Sequence, residues 1–262
     1  MENVVPTLDR LARQLPPITL EEMAGIRLMN RTDTKFVTSI PVLVRLLELA
    51  KGAYYSQETC GHRLSPYATT YWDGVESREM FVSHECGRSV RTKVRVRTYV
   101  DSGLSFLEVK MKDNHGKTDK RRVSVSSSQA VELHQEGEDF LESATGYRYS
   151  DIAPTLSNSF LRITLVNFDK TERLTIDTSL KFRNIITGGK ADMDNVVVIE
   201  LKRDGRAHSP ILDILRLLRV KPAGFSKYCM GMALTDTSLR TNRLKPRLRK
   251  IGKLTAGVPI TL

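Results

Sequence analysis

The chain has 262 residues, 40% of them hydrophobic, so it can bury a core in one large domain or two small ones. Lys and Arg number 41 against 30 Asp and Glu, and the formal net charge of +11 indicates an anionic partner. This composition excludes a disordered chain, and no apolar stretch approaches the ~20 residues that cross a bilayer.

The cysteines and the amino-terminal residues indicate the cellular compartment of the protein. Cys60, Cys86 and Cys229 are odd in number and lack CxxC spacing, which favours a reducing environment over a disulfide scaffold. The first residues contain no basic region followed by a long apolar run. We therefore expect a cytoplasmic protein.

The spacing of apolar residues predicts the helices and strands of the chain. Helical spacing and helix-start signals predict helices over residues 40–49, 76–85, 210–218 and 225–234, with one or two more within 128–145. Alternation predicts strands near residues 34–39, 68–72, 90–100, 105–111, 119–125, 160–168, 174–177 and 196–202. The pattern is that of an α+β domain dominated by antiparallel strands.

The chain shows no internal repeat and no low-complexity linker, which favours one domain with additions. We assign residues 1–238 to this domain and residues 239–262 to a basic tail, because Arg240 to Lys253 contains no acidic residue. Such a tail is either a solvated mobile terminus or a contact with a membrane surface or another polyanion.

Residues 91–99 read Arg-Thr-Lys-Val-Arg-Val-Arg-Thr-Tyr. Because side chains alternate across a strand, Arg91, Lys93, Arg95 and Arg97 share one face. Cations in such a row lie ~6–7 Å apart and repel one another unless anions bind them. The pattern indicates a polyanion site, although an exposed strand with one wet face gives a similar pattern.

Other predicted strands repeat this division into a charged and an apolar face. Their charged faces carry Glu108, Lys110 and Lys112; Arg162 and Thr164; Arg173, Thr175 and Asp177; and Glu200 and Lys202. Such a sheet is either one layer packed on helices or, if it closes with the charges inward, a basic tunnel with a few carboxylates.

Several other candidate motifs do not meet the requirements of a functional site. Gly116-Lys117-Thr118 is not a P-loop, because the required earlier glycine is replaced by Met111. The five histidines show no metal-ligand spacing. Aromatic residues make up 6% of the chain and no nucleic-acid-binding motif is present, so we expect no nucleic-acid partner beyond generic binding in a basic groove.

An ordered set of blocks resembles one family. The blocks lie at residues 30–36, 70–73, 91–99, 106–110, 174–178, 198–202 and 225–228. Together they resemble the vacuolar transporter chaperone (VTC) domain, a branch of the triphosphate tunnel metalloenzymes. The resemblance implies an α+β fold: an eight-stranded antiparallel tunnel barrel with a charged lumen and helices packed outside.

The resemblance also implies an activity. Polymerase members transfer the γ-phosphate of ATP to a growing polyphosphate chain, so ATP and inorganic polyphosphate or triphosphate are the expected partners. Carried over by position, the residues that would hold phosphates are Lys35, Arg95, Arg97, Lys110, Arg162, Arg173 and Lys227. Glu200 would hold Mn²⁺ or Mg²⁺, and the less certain members of the set are Arg31, Lys93, Lys202 and, for the metal, Glu108.

One departure from the wider superfamily discriminates between its activities. Triphosphatases carry Glu-x-Glu-x-Lys on the first strand, whereas this chain has Arg31-Thr-Asp-Thr-Lys35. Fewer carboxylates and more cations favour holding a long polyanion over activating water. The resemblance therefore favours a polymerase, with a triphosphatase and a binding module without turnover as the alternatives.

Overall fold

The computed structural model describes residues 4–24, 26, 31–205 and 208–254, apart from the side chain of Arg31. The strands of these residues are β1 (Pro17–Ile18), β2 (Arg31–Ser39), β3 (Tyr54–Gln57), β4 (Ser65–Gly74), β5 (Arg91–Tyr99), β6 (Leu104–Lys112), β7 (Thr118–Val125), β8 (Ile152–Asn167), β9 (Glu172–Asn184), β10 (Lys190–Met193) and β11 (Val196–Asp204). The helices are α1 (Val4–Arg13), α2 (Leu20–Ala24), α3 (Ile40–Leu49), α4 (Glu79–Glu85), α5 (Gln135–Thr145), α6 (Pro210–Leu217), α7 (Lys227–Thr235) and α8 (Lys245–Leu254). No helix in this part of the chain is both long and apolar enough to cross a membrane.

The strands form one large sheet. Eight of them follow the order β2-β11-β9-β8-β4-β5-β6-β7, and every pair of neighbours in this order is antiparallel. The short strand β10 extends the pairing of β9, whereas β3 pairs with β8 and, in parallel, with β1. The prediction of an α+β fold with a large antiparallel sheet is confirmed.

The outer face of the sheet is apolar and is covered by helices. Around Ile176 and Ile199 the face packs against residues of α1, α3 and α6. Around Val94 and Leu107 it packs against residues of α5 and α4. Because these side chains alternate with the charged ones, burial of the outer face directs the charges inward.

The inner face, which carries Lys35, Arg95 and Glu200, has a charged part and an apolar part. In the apolar part, Val37, Tyr71 and Val198 belong to the same buried cluster as Tyr228 and Met232 of α7. A Cβ on Gly231 would lie 2.5 Å from side-chain atoms of Leu156 and Phe182, so α7 packs directly on the sheet. Helix α7 thus fills one end of the inner space and leaves the charged part at the other.

A β-bulge shifts the register between the two long central strands, β8 and β9. Ser159 pairs with Lys181 and Leu161 pairs with Thr178, so two residues of β9 oppose Phe160 alone. Ser179 has a φ of 51°, in the left-handed region, at this position. The extra residue resets the alternation, which is why both Asp177 and Phe182 lie on the inner face.

Helix α3 has the predicted bounds, but other elements differ from the expectation. Helix α1, which buries Leu8, Leu11 and Ala12, was not predicted, although its apolar residues recur at helical spacing. The predicted basic tail is in part a folded element, because α8 begins at Lys245 and its Ile251 is 2% exposed within the cluster around α7. Residues up to Leu254 therefore belong to the domain, while 255–262 lie outside the described residues.

Candidate functional site: a cationic inner face

Cations and carboxylates from neighbouring strands stand opposite one another on the inner face. Arg95 of β5 is in register with Glu108 of β6, and Arg162 of β8 with Asp177 of β9. Lys35 of β2 is in register with Glu200 of β11. Residues directly opposite in an antiparallel pair project to the same side, so these charges share one space.

The sheet curls so that distant strands meet across this space. Lys35 Nζ donates to the carbonyl oxygen of Phe225 at 3.3 Å, and Lys93 Nζ donates to Ser226 Oγ at 3.4 Å. Strands β2 and β5 are far apart in the strand order, yet their lysines reach adjacent residues of one loop. This loop also covers the free edge of β2, because the backbone N–H of Ala223 donates to the carbonyl oxygen of Lys35 at 2.8 Å.

Glu108 is the acceptor for two cations. Arg95 donates to its Oε2 through Nε at 2.8 Å, and Lys120 of β7 donates to its Oε1. Burial opposes ionisation of Glu108, which is 2% exposed, but Arg95, Arg97 and Lys120 outweigh it and lower its pKa to about 2. Since both oxygens are occupied by cations, the geometry gives no support to the predicted metal role of Glu108, which stays a prediction.

Asp177 of β9, like Glu108, is the acceptor for two cations. Its oxygens accept two hydrogen bonds from Arg162, at 2.6 and 2.9 Å, and one from Lys227 at the start of α7. Burial raises the pKa of this carboxyl, but the two cations outweigh burial and hold the pKa well below its usual range. Asp177 thereby connects β8, β9 and α7 at the centre of the site.

Three cations on the inner face form no salt bridge or hydrogen bond with a carboxylate among the described residues: Arg97, Lys110 and Arg173. Arg97 is 9% exposed, and the buried Nε atoms of Arg97 and Arg173 find no acceptor in this part of the chain. Burial, together with Arg95 and Arg162, lowers the pKa of Arg97 to about 10. Buried donors without acceptors are costly, which indicates an anionic ligand that supplies them.

Two lysines have pKa values close to neutral pH. Burial, together with nearby Arg95 and Lys35, lowers the pKa of Lys93 to about 8. Burial also lowers the pKa of Lys227 to about 8, although Asp177 opposes this shift. A bound polyanion favours the charged forms, so both lysines are poised to take up protons on binding.

Aromatic rings line the wall beside the cations. The rings of Tyr67 and Phe160 stack with centroids 5.3 Å apart. The Arg162 guanidinium carbon lies 4.8 Å from the Tyr67 centroid, and Lys227 Nζ lies 4.2 Å from that of Phe160. Few carboxylates face these cations, and the negative faces of the rings stabilise them instead. Because the rings carry no net charge, the site keeps its positive charge.

Glu200 is the acid best placed for a divalent metal. It is half-buried on the inner face, and burial is outweighed by Lys35 and Lys202, which lower the pKa of its carboxyl. No group of three or more His, Cys, Asp or Glu side chains suited to a metal occurs within the described ranges. The donor set fits an ion such as Mg²⁺ that takes one or two carboxylates and completes its shell with substrate phosphates and water.

The predicted residues are largely brought together. Pairing, hydrogen bonds or register place the following on the inner face: Lys35, Lys93, Arg95, Arg97, Lys110, Arg162, Arg173, Glu200, Lys202 and Lys227. The side chain of Arg31 lies outside the described residues. Their roles as phosphate or metal ligands stay predictions.

Sequence reasoning missed four participants: Asp177, Lys120, Tyr67 and Phe160. Asp177 was placed on a charged face but given no role, and Lys120 follows the same alternation as Arg122 on β7. Tyr67 alternates with Thr69 and Tyr71 along β4, a phase that only the pairing with β5 identifies as inward. Phe160 sits in the bulge, where alternation gives no reliable signal.

The antiparallel sheet curls around a space with surplus cations, and this arrangement is suited to bind a ligand with several negative charges. The sequence matches the VTC domain over residues 30–236, which is most of the chain. The chain belongs to the VTC domain family, and the resemblance predicted from the ordered blocks is confirmed.

Three solved structures that match the chain have low identity to it. A Bacillus halodurans protein provisionally assigned as an adenylate cyclase is 14% identical, with a TM-score of 0.49, over 76% of this chain and 96% of its own. A Hippeastrum protein described as having a dominant triphosphatase activity is 11% identical, with a TM-score of 0.49, over 78% and 96%. An RNA triphosphatase from S. pombe is 9% identical, with a TM-score of 0.28, over 97% and 92%. No curated protein sequence matches the chain.

Proposed function

We propose that the protein is a metal-dependent polyphosphate polymerase that transfers the γ-phosphate of ATP to a growing polyphosphate chain. The observation that carries the proposal is the surplus of cations on the inner face. Asp177 and Glu108 are each engaged by two cations, while Arg97, Lys110 and Arg173 form no salt bridge with a carboxylate in the described residues. A site of this kind supports binding of several phosphates in a row.

The chemistry needs little from the protein beyond charge and position. A terminal oxygen of the chain attacks the γ-phosphorus of ATP, a new P–O bond forms, and the bond from that phosphorus to the β-γ bridging oxygen breaks to release ADP. The transition state spreads negative charge over the equatorial oxygens of the transferred group. The guanidinium of Arg97, whose Nε has no acceptor in the described residues, can bind such oxygens in pairs. Arg95 and Arg162 would offer the N–H groups that Glu108 and Asp177 do not use, and all three stay charged when confined.

The residues present favour a phosphate oxygen over water as the nucleophile. A terminal phosphate oxygen is already ionised near neutral pH and needs no general base, whereas water does. Glu108 and Asp177 are held ionised by cations and make poor bases. This argument supports transfer to a chain rather than hydrolysis.

Glu200 would hold the divalent ion, with Mn²⁺ and Mg²⁺ as the candidates. The ion would supply positive charge to the phosphates that the cations do not reach. Lys35 and Lys110 lie near Glu200, so they would contact the same phosphates and keep the chain against this wall.

The test is product analysis of the purified protein with ATP and either Mn²⁺ or Mg²⁺. Polyphosphate is resolved on a stained polyacrylamide gel while ADP and free phosphate are measured. The proposal expects chains longer than the substrate, formed together with ADP and with little free phosphate. Free phosphate without chains would establish a triphosphatase, and triphosphate binding without any product would establish a binding module.

A further inference from the structure

The loop between β9 and β10, residues 185–189, exposes two adjacent aliphatic side chains. Ile185 is 38% exposed and Ile186 is 53% exposed. Single exposed aliphatic residues are common on protein surfaces, but an adjacent pair at a loop forms a small apolar patch. The patch lies on the outside of the protein, away from the charged site.

The loop is held firmly in place by its neighbours. The side chain of Asn184 is fully buried, and its Oδ1 accepts hydrogen bonds from the backbone N–H groups of Ile186 and Thr187, each at 3.0 Å. Thr187 Oγ1 donates to the carbonyl oxygen of Thr235, at the end of α7, at 3.1 Å. A Cβ at Gly189 would clash with the same carbonyl oxygen, so the loop packs closely on α7. The exposure of the two isoleucines is therefore a property of an ordered loop.

The backbone N–H groups of residues 184–189 are all hydrogen-bonded within the protein. Besides the two that Asn184 Oδ1 accepts, the N–H of Gly189 donates to Thr187 Oγ1 at 3.3 Å. The N–H groups of Asn184, Ile185 and Gly188 donate to the carbonyl oxygens of Gly189, Thr155 and Asn184, respectively. Because unbonded N–H groups are costly in an apolar medium, this loop can enter such a medium at little cost.

Two cations lie directly below the isoleucines. Arg183 of β9 and Lys190 of β10 are in register, and both are exposed. Neither forms an ion pair with a carboxylate in the part of the chain that the structure describes, and Asp192 of β10 is in register with Lys181 instead. An apolar tip above a pair of cations matches the surface of an anionic bilayer, where acyl chains lie beneath a layer of lipid phosphates.

Helix α7 defines the position of this loop relative to the charged site. The helix begins at Lys227, which donates to Asp177, and its last residue, Thr235, contacts the loop. The loop thus lies at the end of the inner space that α7 fills. A surface bound to the loop leaves the charged part of the inner face uncovered.

We propose that the β9–β10 loop binds the domain to an anionic lipid bilayer. Ile185 and Ile186 enter the outer part of the acyl layer, and Arg183 and Lys190 contact lipid phosphates. The inference goes beyond the proposed function and does not depend on it, because none of these four residues belongs to the charged site. The bound domain has its α7-filled end toward the membrane and its charged site accessible from solution.

The test is co-flotation of the purified protein with vesicles of phosphatidylcholine alone or mixed with phosphatidylserine. The wild type is expected to bind the mixed vesicles. In Ile185→Ser with Ile186→Ser, the ratio of bound to free protein should fall about tenfold or more, because two apolar side chains no longer enter the bilayer. In Arg183→Ala with Lys190→Ala, the preference for phosphatidylserine should be lost.

The matched control replaces another exposed aliphatic pair. Val100 and Leu104, at the β5–β6 turn, are 51% and 54% exposed, so Val100→Ser with Leu104→Ser removes a similar apolar surface. Its binding to mixed vesicles should stay within about twofold of wild type, because these residues are remote from the loop.

Tryptophan fluorescence measures insertion directly. The native Trp72 is 1% exposed, so a tryptophan added at the surface is the one that lipids can reach. Brominated lipids should quench the emission of Ile186→Trp and leave that of Leu104→Trp unchanged.

Three results would overturn the proposal. If the wild type bound neither kind of vesicle, the loop would not be a lipid contact, and a protein with an apolar pocket and acidic groups would be its partner. Equal binding to phosphatidylcholine alone would exclude the role of the two cations. Loss of binding in Arg247→Ala with Arg249→Ala, but not in the isoleucine variant, would assign the membrane contact to α8 instead.

Discussion

Arg162 holds Asp177 through two parallel hydrogen bonds, Nε to Oδ1 at 2.6 Å and Nη2 to Oδ2 at 2.9 Å. Lys227 donates to the same carboxylate, and Asp177 is 3% exposed. The buried carboxylate of Asp177 thus holds Arg162 and Lys227, two of the cations proposed to bind phosphate, in position in the absence of a ligand. The site is pre-organised, and a ligand need not gather its cations against their mutual repulsion.

Replacing Asp177 with Asn should destabilise the ligand-free protein more than the protein with tripolyphosphate bound. Two buried cations lose their anion, which costs about 3 kcal/mol of unfolding free energy without ligand. Tripolyphosphate supplies the missing charge, so the increase in Tm on adding it should be larger in the variant than in wild type. Thermal unfolding with and without tripolyphosphate measures both effects.

The control for this experiment is Asp119→Asn, which breaks an exposed ion pair with Arg121. It should change the unfolding free energy by less than about 1 kcal/mol and leave the ligand-induced shift in Tm unaltered. An Asp177→Asn protein that gains no more from tripolyphosphate than wild type would show that the ligand does not occupy this position.

Affinity for tripolyphosphate should decrease as pH rises between about 7 and 9. Lys93 and Lys227 have pKa values of about 8 in the empty site, so they lose charge across this range. Bound phosphate favours the protonated lysines and raises their pKa, and binding near pH 8 therefore takes up protons. Calorimetric titration in two buffers of different ionisation enthalpy measures the uptake.

The Lys227→Arg variant checks the assignment, because a guanidinium stays charged over this range. Its affinity should depend less on pH, and its proton uptake should be smaller than in wild type. Release of protons on binding at pH 8, or an unchanged uptake in the variant, would contradict the role of these lysines.

Glu200→Gln should abolish metal-dependent turnover while the fold survives. The substitution keeps the size of the side chain but removes the charge that would hold Mn²⁺ or Mg²⁺, so the rate should fall about 100-fold or more. Rates are measured over a range of metal concentration, with Glu48→Gln on the exposed side of α3 as the control. Full activity in Glu200→Gln would show that the metal assignment is wrong.

The alternation of charged and apolar residues predicted much of the fold because burial enforces it. The cations on β5 and the acid and lysine on β11 project inward because Val94 and Ile199 are buried outward. Such a pattern depends on neighbouring positions in the chain, so a single sequence contains it. The antiparallel α+β class and most of the charged strand faces followed from it, whereas closure into a tunnel and the roles of Lys35 and Lys227 were implied only by the family resemblance.

The unpredicted features depend on contacts between distant segments. The pairing of Glu108 with Lys120 requires the register of β6 and β7, and that of Asp177 with Lys227 joins a strand to a helix 50 residues later. The basic composition after Arg240 indicated a solvated tail or a contact with a membrane surface or another polyanion, yet Leu244 and Ile251 are buried against the cluster around α7. In these cases a few buried contacts outweigh the local composition.

Gly231→Ala should weaken both the fold and the site, because α7 carries Lys227 and packs on the sheet through this glycine. The new Cβ would lie 2.5 Å from Leu156 Cδ2 and Phe182 Cδ1, so the helix or the ring must move. Overpacking of this kind costs about 1–3 kcal/mol of unfolding free energy. A displaced α7 also moves Lys227 away from Asp177, so tripolyphosphate affinity should fall as well.

The matched control lies in another helix. A Cβ at Gly252 of α8 meets nothing within 4 Å, so Gly252→Ala should be neutral or should stabilise by up to about 1 kcal/mol. Chemical denaturation and tripolyphosphate titration on both variants separate a local clash from a general effect of removing glycine. Unchanged ligand affinity in a destabilised Gly231→Ala protein would mean that the site tolerates movement of α7, and that Arg162 and Asp177 keep the phosphate site in place without it.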